Sequence, residues 1–288
     1  MDDKKGVNRE YKDRLFKFIF CNPENKEWTL SLYNAVNGSS YTDTEDLTYT
    51  TLEDAVYMSM KNDVSFLMAD DTMNFYEQQS TFNPNMPMRF LIYAGMVYSK
   101  YIEENKNYRK YSKKQQTAPT PKCVCFYNGA TKKEDKVILK LSDSFKDNST
   151  PDIEVTVTML NINYGHNNEL IKACKPLEEY AWFIDKIRLV QNQGDSLESA
   201  IDIALDELPD DSLIKQFLTD NRAEVKRMCI TEYDEERTFA EQREEGYEEG
   251  VLDTLIGLVK QGALSLPFAA EQAKMTVAEF KIRAGLSE

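Results

Sequence analysis

The chain holds a single histidine, His166, among 288 residues, and that scarcity removes whole classes of chemistry. Cys2His2 metal sites, histidine-rich centres and mechanisms needing two imidazoles are excluded by inventory. The five cysteines, Cys21, Cys123, Cys125, Cys174 and Cys229, are odd in number, scattered and without a CxxC pair, which argues for reduced thiols rather than a disulfide framework. Neither GxxxxGK[ST] nor GxGxxG occurs, so the two common glycine-rich phosphate cradles are missing. No run of 18 apolar residues exists, and the opening MDDKKGVNRE is too polar for a signal sequence. A folded cytoplasmic protein without membrane spans is therefore expected. Eleven glycines and nine prolines are few enough for a packed core in one large or two ordinary domains. Hydrolysis led by carboxylates and a divalent metal stays open.

The net charge is −14, but it is unevenly spread. Between Asp206 and Gly250 there are 15 acidic and 6 basic residues, leaving the rest of the chain near balance. Lys100 to Lys122, by contrast, is basic and interleaved with Tyr101, Tyr108 and Tyr111. That composition suits phosphate contact and base stacking, with Lys110, Lys113 and Lys114 as DNA-binding candidates. It equally suits a solvated loop after a helix.

Helical spacing predicts a first helix over Arg9–Phe20 and a second over Glu27–Val36, stopped at Asn37-Gly38. The period then changes. Ala55–Met60, Val64–Met68 and Met73–Tyr76 read as three short strands of a meander. After Asn83-Pro84-Asn85-Met86-Pro87, helical spacing returns in Leu91, Ala94, Tyr98, Tyr101 and Ile102, with Pro87 at the start. Cys123–Tyr127 and Lys136–Leu141 read as strands about the turn Asn128-Gly129, and Glu154–Leu160 adds another. Cys123 and Cys125 on one strand face, and Tyr93, Tyr98 and Tyr101 on the helix, are expected to pack in the core. His166 is expected in a turn or cap.

From Asn168 the pattern is helical: Leu170–Gln191, Leu197–Leu208, Leu213–Leu218, a charged run Asn221–Gly250 with a repeated Glu-Glu-Gly, and Val251–Lys260. The composition shift near Gly165 separates residues 1–165 from a helical region 166–288. Its last pair, Leu266–Ala273 and Val277–Ala284 about Met275-Thr276, has the outline of a helix-turn-helix, although short terminal helices more often cap a core or meet another copy.

Chemistry concentrates in Asn62-Asp63-Val64 and Glu77-Gln78-Gln79, an Asp and a Glu-x-Gln on successive predicted strands. Two carboxylates converging on one sheet face can hold Mg²⁺ or Mn²⁺, with water and phosphate oxygens completing the shell. Register decides whether they meet. A two-residue turn at Asp70-Asp71 sets Val64 opposite Glu77 and parts the carboxylates; a three-residue loop Ala69–Asp71 sets Asp63 opposite Glu77. Apolar alternation mildly supports the former, which faces Phe66 with Phe75, while the missing glycine supports the latter.

The segments Asp13-Arg14-Leu15-Phe16-Lys17, Asn62-Asp63-Val64, Tyr76-Glu77-Gln78-Gln79-Ser80, the Asn83–Pro87 loop and Phe126-Tyr127-Asn128-Gly129 resemble the landmarks of the recombination-promoting nuclease family, a transposase-like branch of the PD-(D/E)XK superfamily. Met159–Asn163, Gly165-His166-Asn167 and the Glu-Glu-Gly repeats are similar to the same proteins further on. The resemblance implies an α/β fold with a restriction-endonuclease-like αβββα core and a mixed sheet, followed by the helical C-terminal region. It implies DNA as substrate, Asp63 and Glu77 as metal ligands, and Gln79 where the wider superfamily has lysine. Lys17 is the candidate for the missing cation, or else an exposed partner of Asp13. The competing class is a non-catalytic nuclease fold whose acidic helices engage a partner or a second copy.

Overall fold

A strand buried on both faces organises the chain. The computed structural model describes residues 11–50, 64–106, 108–109, 111–146, 150–229 and 250–285, without the side chains of 11–13. They form an α/β structure around one six-stranded mixed sheet in the order β1-β2-β3-β4-β6-β5. β1 (Leu47–Tyr49), β2 (Val64–Met68) and β3 (Thr72–Gln79) make an antiparallel meander. β4 (Thr120–Tyr127) runs parallel to β3, β6 (Thr156–Asn161) parallel to β4, and β5 (Lys136–Lys140) antiparallel to β6. Six of the eight residues of β3 are buried, as befits a strand covered on two sides.

On one face lie α1 (Tyr11–Phe20), α2 (Lys26–Asn37) and the helices between Asn168 and Asp220. Leu15, Phe16, Ile19 and Phe20 of α1 recur at helical spacing and are fully buried. Phe16 meets Phe126 of the sheet at 5.2 Å and Tyr180 at 5.6 Å. α2 ends because Gly38 takes the left-handed conformation (φ 64°) and its N–H donates to the Asn34 carbonyl. On the other face α3 (Met86–Glu104) starts with Pro87 in its first turn and buries Met86, Phe90, Tyr93 and Val97 against Met73, Phe75, Cys125 and Met159. Cys123, Tyr98 and Tyr101 pack at the edge of this second core, as expected of them.

The helical stretch expected over Leu170–Gln191 is two helices, α4 (Asn168–Ala173) and α5 (Lys175–Asn192). Pro176 explains the break, since it suits the first turn of a helix and disfavours helical backbone before it. α6 (Leu197–Glu207) and α7 (Leu213–Asp220) follow. The buried Glu179 of α5 accepts from Leu213 N (3.1 Å) and Ile214 N (3.0 Å), capping α7 with a charge that would otherwise be costly to bury.

Beyond Gly165, α4–α7 share the core of the sheet, and the compact units are Met1–Tyr233 and Asp234–Glu288. Two readings of the strands need correcting. Asn128-Gly129 does not join a hairpin, because β6 lies between β4 and β5. Phe66 faces Asn74, not Phe75, and meets Tyr76 diagonally with ring centroids 5.1 Å apart. The strand expected at Ala55–Met60 lies outside the described residues, and the first meander strand is Leu47–Tyr49 instead. Among the described residues, no helix is long and apolar enough to cross a membrane.

Candidate active site

The register of β2 on β3 decides where Glu77 can act. Val64 pairs with Tyr76 and Leu67 with Met73, so the turn is the three-residue loop Ala69-Asp70-Asp71. Asp71 supplies the left-handed residue (φ 57°) that glycine often provides, and aspartate tolerates it. Asp70 fixes the loop by accepting from Thr72 N (3.1 Å), Thr72 Oγ1 (2.7 Å) and Tyr33 Oη (2.8 Å). Burial alone would raise its pKa; these bonds outweigh that and lower it. The alternative register, with Val64 opposite Glu77, is excluded. Asp63 itself lies outside the described residues.

Alternation along β3 sends Tyr76 to the α1 face and Phe75, Glu77 and Gln79 to the α3 face. Glu77 is only 1% exposed. Its Oε1 lies 2.5 Å from the Arg89 guanidinium and accepts from Gln79 Nε2 at 3.0 Å. Arg89 stands one turn into α3, where Nε and Nη2 donate to Tyr93 Oη at 3.1 and 2.9 Å. The Arg89 side chain keeps 32% exposure, so one end of the ion pair is buried and the other reaches solvent. Sequence reasoning missed Arg89: it stands within an apolar helix face (Met86, Phe90, Tyr93, Val97), and that spacing alone does not tell what the face covers.

The ends of the three parallel strands line up beyond this pair: Gln79 with Tyr127, and Tyr127 with Asn161. In open α/β sheets this carboxyl edge is where ligands bind. Arg188 of α5 holds it together, donating to the carbonyl of Asn128, to Asn128 Oδ1 (2.5 Å) and to Asn163 Oδ1 (2.6 Å). Asn163 Nδ2 donates to Gly129 O (3.1 Å) and Asn161 Oδ1 (2.8 Å), and Asn161 Nδ2 to Lys133 O (3.1 Å). Glycine is required at 129 because a Cβ there would collide with Tyr127 Oη and lie 2.5 Å from the Ser80 carbonyl oxygen. Phe-Tyr-Asn-Gly and Asn-Ile-Asn thus build one polar edge.

His166 takes the expected turn, its N–H donating to Asn163 O (3.0 Å), and its Nδ1 lies 2.7 Å from Asp135 Oδ1. That bond, joined by one from Asn167 N, holds the Asp135 carboxyl below the ordinary carboxylate range. Lys133 Nζ sits 3.6 Å from the Phe82 ring centroid. The loop after β4 adds Lys132 and Lys133, which are balanced by Glu134 and Asp135 as Arg89 is by Glu77, so Arg188 is the one basic side chain in excess among those named.

Lys17 is not brought to Glu77. α1 packs on the opposite face of the sheet, and the side chain of Asp13, the other partner expected for Lys17, lies outside the described residues. Lys113 and Lys114 are exposed in the α3–β4 connection, near Tyr111 at 93% exposure; Lys110 lies outside the described residues. That connection enters β4 at Thr120, opposite Thr72, five residues along β3 from Glu77, or roughly 17 Å. It therefore sits at the other end of the strand. Among the described residues, which do not include Asp63, no group of three or more His, Cys, Asp or Glu side chains is placed to hold a metal ion. Compared with known proteins, the chain matches no family model, no curated protein and no solved structure.

Proposed function

We propose that the protein is a metal-dependent DNA endonuclease of the PD-(D/E)XK kind, allied to the recombination-promoting nucleases, with Asp63 and Glu77 as its carboxylates. The observation that carries this reading is Glu77, buried near the carboxyl end of the central strand with Gln79 beside it. It sits in the order meander, helix, parallel strand, here β1-β2-β3-α3-β4. Arg89 is a second support, because its guanidinium, 32% exposed beside Glu77, offers a duplex a local cation against a net charge of −14.

Magnesium takes one or two carboxylates and fills the rest of its shell with water and phosphate oxygens, so a buried carboxylate near the carboxyl edge of the sheet fits it. Glu77 and Asp63 would hold the ion, which when bound acidifies a water and offsets charge growing on the scissile phosphate. Gln79 orients Glu77 through its amide donor and contributes no charge. Arg89 fills the cationic role first assigned to Lys17: its half-exposed fork can leave Glu77 for a phosphate oxygen, which its planar donors match in pairs.

A second reading, a nuclease fold that works by contact and not cleavage, is favoured by that same ion pair, since a guanidinium already balances the carboxylate. A supercoiled-plasmid assay separates the two. With Mg²⁺, but not with EDTA, the wild type nicks, and Glu77→Gln and Asp63→Asn do not. No metal-dependent nicking, or equal nicking by all three, overturns the endonuclease.

A further inference from the structure

On the α1 face, the neighbouring strands β4, β6 and β5 are covered only in part: Phe126 and Leu160 are buried, whereas Lys122, Thr156, Lys136, Ile138 and Lys140 are exposed. Between this open part and the last turn of α2 lies a cavity of about 410 Å³. Its charge runs against that of the chain. Lys122 and Lys136 line it, and among the described residues no aspartate or glutamate does. Lys140 stands on the same face, opposite Thr156. Glu134 and Glu154 border that face at its two ends, and the second is engaged, its Oε1 accepting from Ser142 N and Val155 N at 3.1 Å each.

The rest of the lining selects the kind of anion. Val124 pairs with Thr158 and Lys136 with Leu160, which puts the backbones of Lys122 and Lys136 about four residues and two strands apart, roughly 16 Å. Four-carbon stems let both ammonium groups turn onto one anion between them. The hydroxyls of Thr156 and Thr158, on the same face of β6, can donate to it as well. Val124 and Leu160 make part of the floor apolar. On the far side α2 contributes Val36 and Asn37, the carbonyl end of a helix with its partial negative charge, which favours hydrogen-bond donors and disfavours anions. A fitting ligand is therefore negative at the lysines and donor-bearing toward α2.

We propose that this cavity binds a small phosphate monoester with a hydroxyl-bearing body, a sugar phosphate or a nucleotide. The phosphate lies between Lys122 and Lys136 over the two threonines, and the sugar hydroxyls face the carbonyl end of α2. The volume falls within the roughly 300–1,000 Å³ of small-molecule sites. Lysine and threonine meet a tetrahedral phosphate from several sides, while arginine, whose planar fork matches a flat carboxylate, is absent from the lining among the described residues. The site is on the face of the sheet opposite Glu77, so it does not depend on cleavage.

Calorimetric titration of the full chain in EDTA tests this, with ribose 5-phosphate, AMP, adenosine and inorganic phosphate as probes. At least one of the two esters should bind about tenfold more tightly than adenosine or inorganic phosphate, and the tighter ester tells sugar phosphate from nucleotide. Lys122→Gln, Lys136→Gln and Thr158→Val should each weaken it about fivefold, and Glu77→Gln should not. Thr158→Tyr fills the cavity and leaves both lysines, so it should abolish binding; if that variant does not fold, the two exposed lysines decide the matter alone. No binding of either ester at millimolar concentration, inorganic phosphate binding as tightly as the esters, or unchanged affinity in both lysine variants overturns the proposal. So does an octathymidylate that binds more tightly than AMP and weakens in the same variants, which would make the face a track for a nucleic-acid strand.

Discussion

Replacing Arg89 by methionine tests the chemistry of the Glu77 site before any substrate is added. The substitution keeps the aliphatic stem against Met86 and Tyr93 but takes from Glu77 the guanidinium 2.5 Å away. Removing one partner of a buried pair costs about 3–5 kcal/mol, because the remaining charge sits in low dielectric. Arg89 is 32% exposed and Gln79 still donates to Glu77, so the lower end, about 3 kcal/mol, applies. For a unit of some 230 residues, that corresponds to a fall in Tm of about 6–12 °C. Circular dichroism melts in EDTA at pH 7 read it directly. Glu77→Gln should cost less, since the stranded guanidinium can turn to water, and Arg89→Met with Glu77→Gln should recover part of the loss. If the site holds metal, Mg²⁺ should raise the Tm of Arg89→Met more than that of the wild type, a cation taking the place of a cation. An Arg89→Met protein melting within a degree or two of wild type, or a strictly additive double variant, would refute the reasoning. Two converging carboxylates alone would repel, and Glu77→Ala would then leave metal-free stability unchanged or higher; with Arg89 as an attractive partner, a loss is expected instead.

Gly129→Ala should lower stability by about 1–3 kcal/mol, because the new methyl presses on the Tyr127 hydroxyl and the Ser80 carbonyl; an unchanged denaturation midpoint would show that the carboxyl edge yields freely. The Asp135–His166 tie makes a contribution that is whole above the ordinary carboxylate pKa and disappears as pH falls through the lowered pKa of Asp135. Asp135→Asn should therefore destabilise the protein at pH 7 and be neutral in denaturant melts near pH 2. Neutralising Lys113 and Lys114 should weaken DNA binding evenly across sequences and lower the salt slope by roughly 0.9 for each phosphate they no longer neutralise, without altering the cleavage rate of bound DNA, since this loop stands at the far end of β3; an unchanged slope returns it to a solvated loop.

Helices and strands were legible wherever one physical signal dominated. The helical spacing of Tyr11, Leu15, Phe18 and Ile19, the glycine stop at Gly38 and the proline start at Pro87 each place an element end within a residue or two of the structure. Pairing was not legible, because neighbours in a sheet are fixed by tertiary packing. β6 slipping between β4 and β5 leaves no mark in the loop Asn128–Asp135. Apolar alternation also misjudged register, since Asn74, opposite Phe66, is a fully buried amide. The turn itself held the better clue: two aspartates without glycine favour a longer loop with one left-handed residue. Arg89 was hidden for a different reason. Its role depends on α3 crossing over Glu77, and a lone arginine between Met88 and Phe90 says nothing of what lies beneath it.

The chain's strongest basic segment and its buried carboxylate lie at opposite ends of one strand, and this shapes how a duplex can engage the protein. Had the lysines of the α3–β4 connection bordered Glu77, charge alone would have positioned the scissile phosphate. Instead the carboxyl edge offers Arg89, Arg188, Lys132 and Lys133, of which Arg188 is committed to Asn128 and Asn163. Affinity would then be gathered at the lysine loop, while the site contributes chiefly geometry. Screening acts on exposed lysines far more than on a buried pair. Raising salt should therefore weaken binding steeply while leaving cleavage of saturated DNA almost unchanged, and a cleavage rate at saturation that falls in parallel with affinity would mean that the distant charges also position the reacting phosphate.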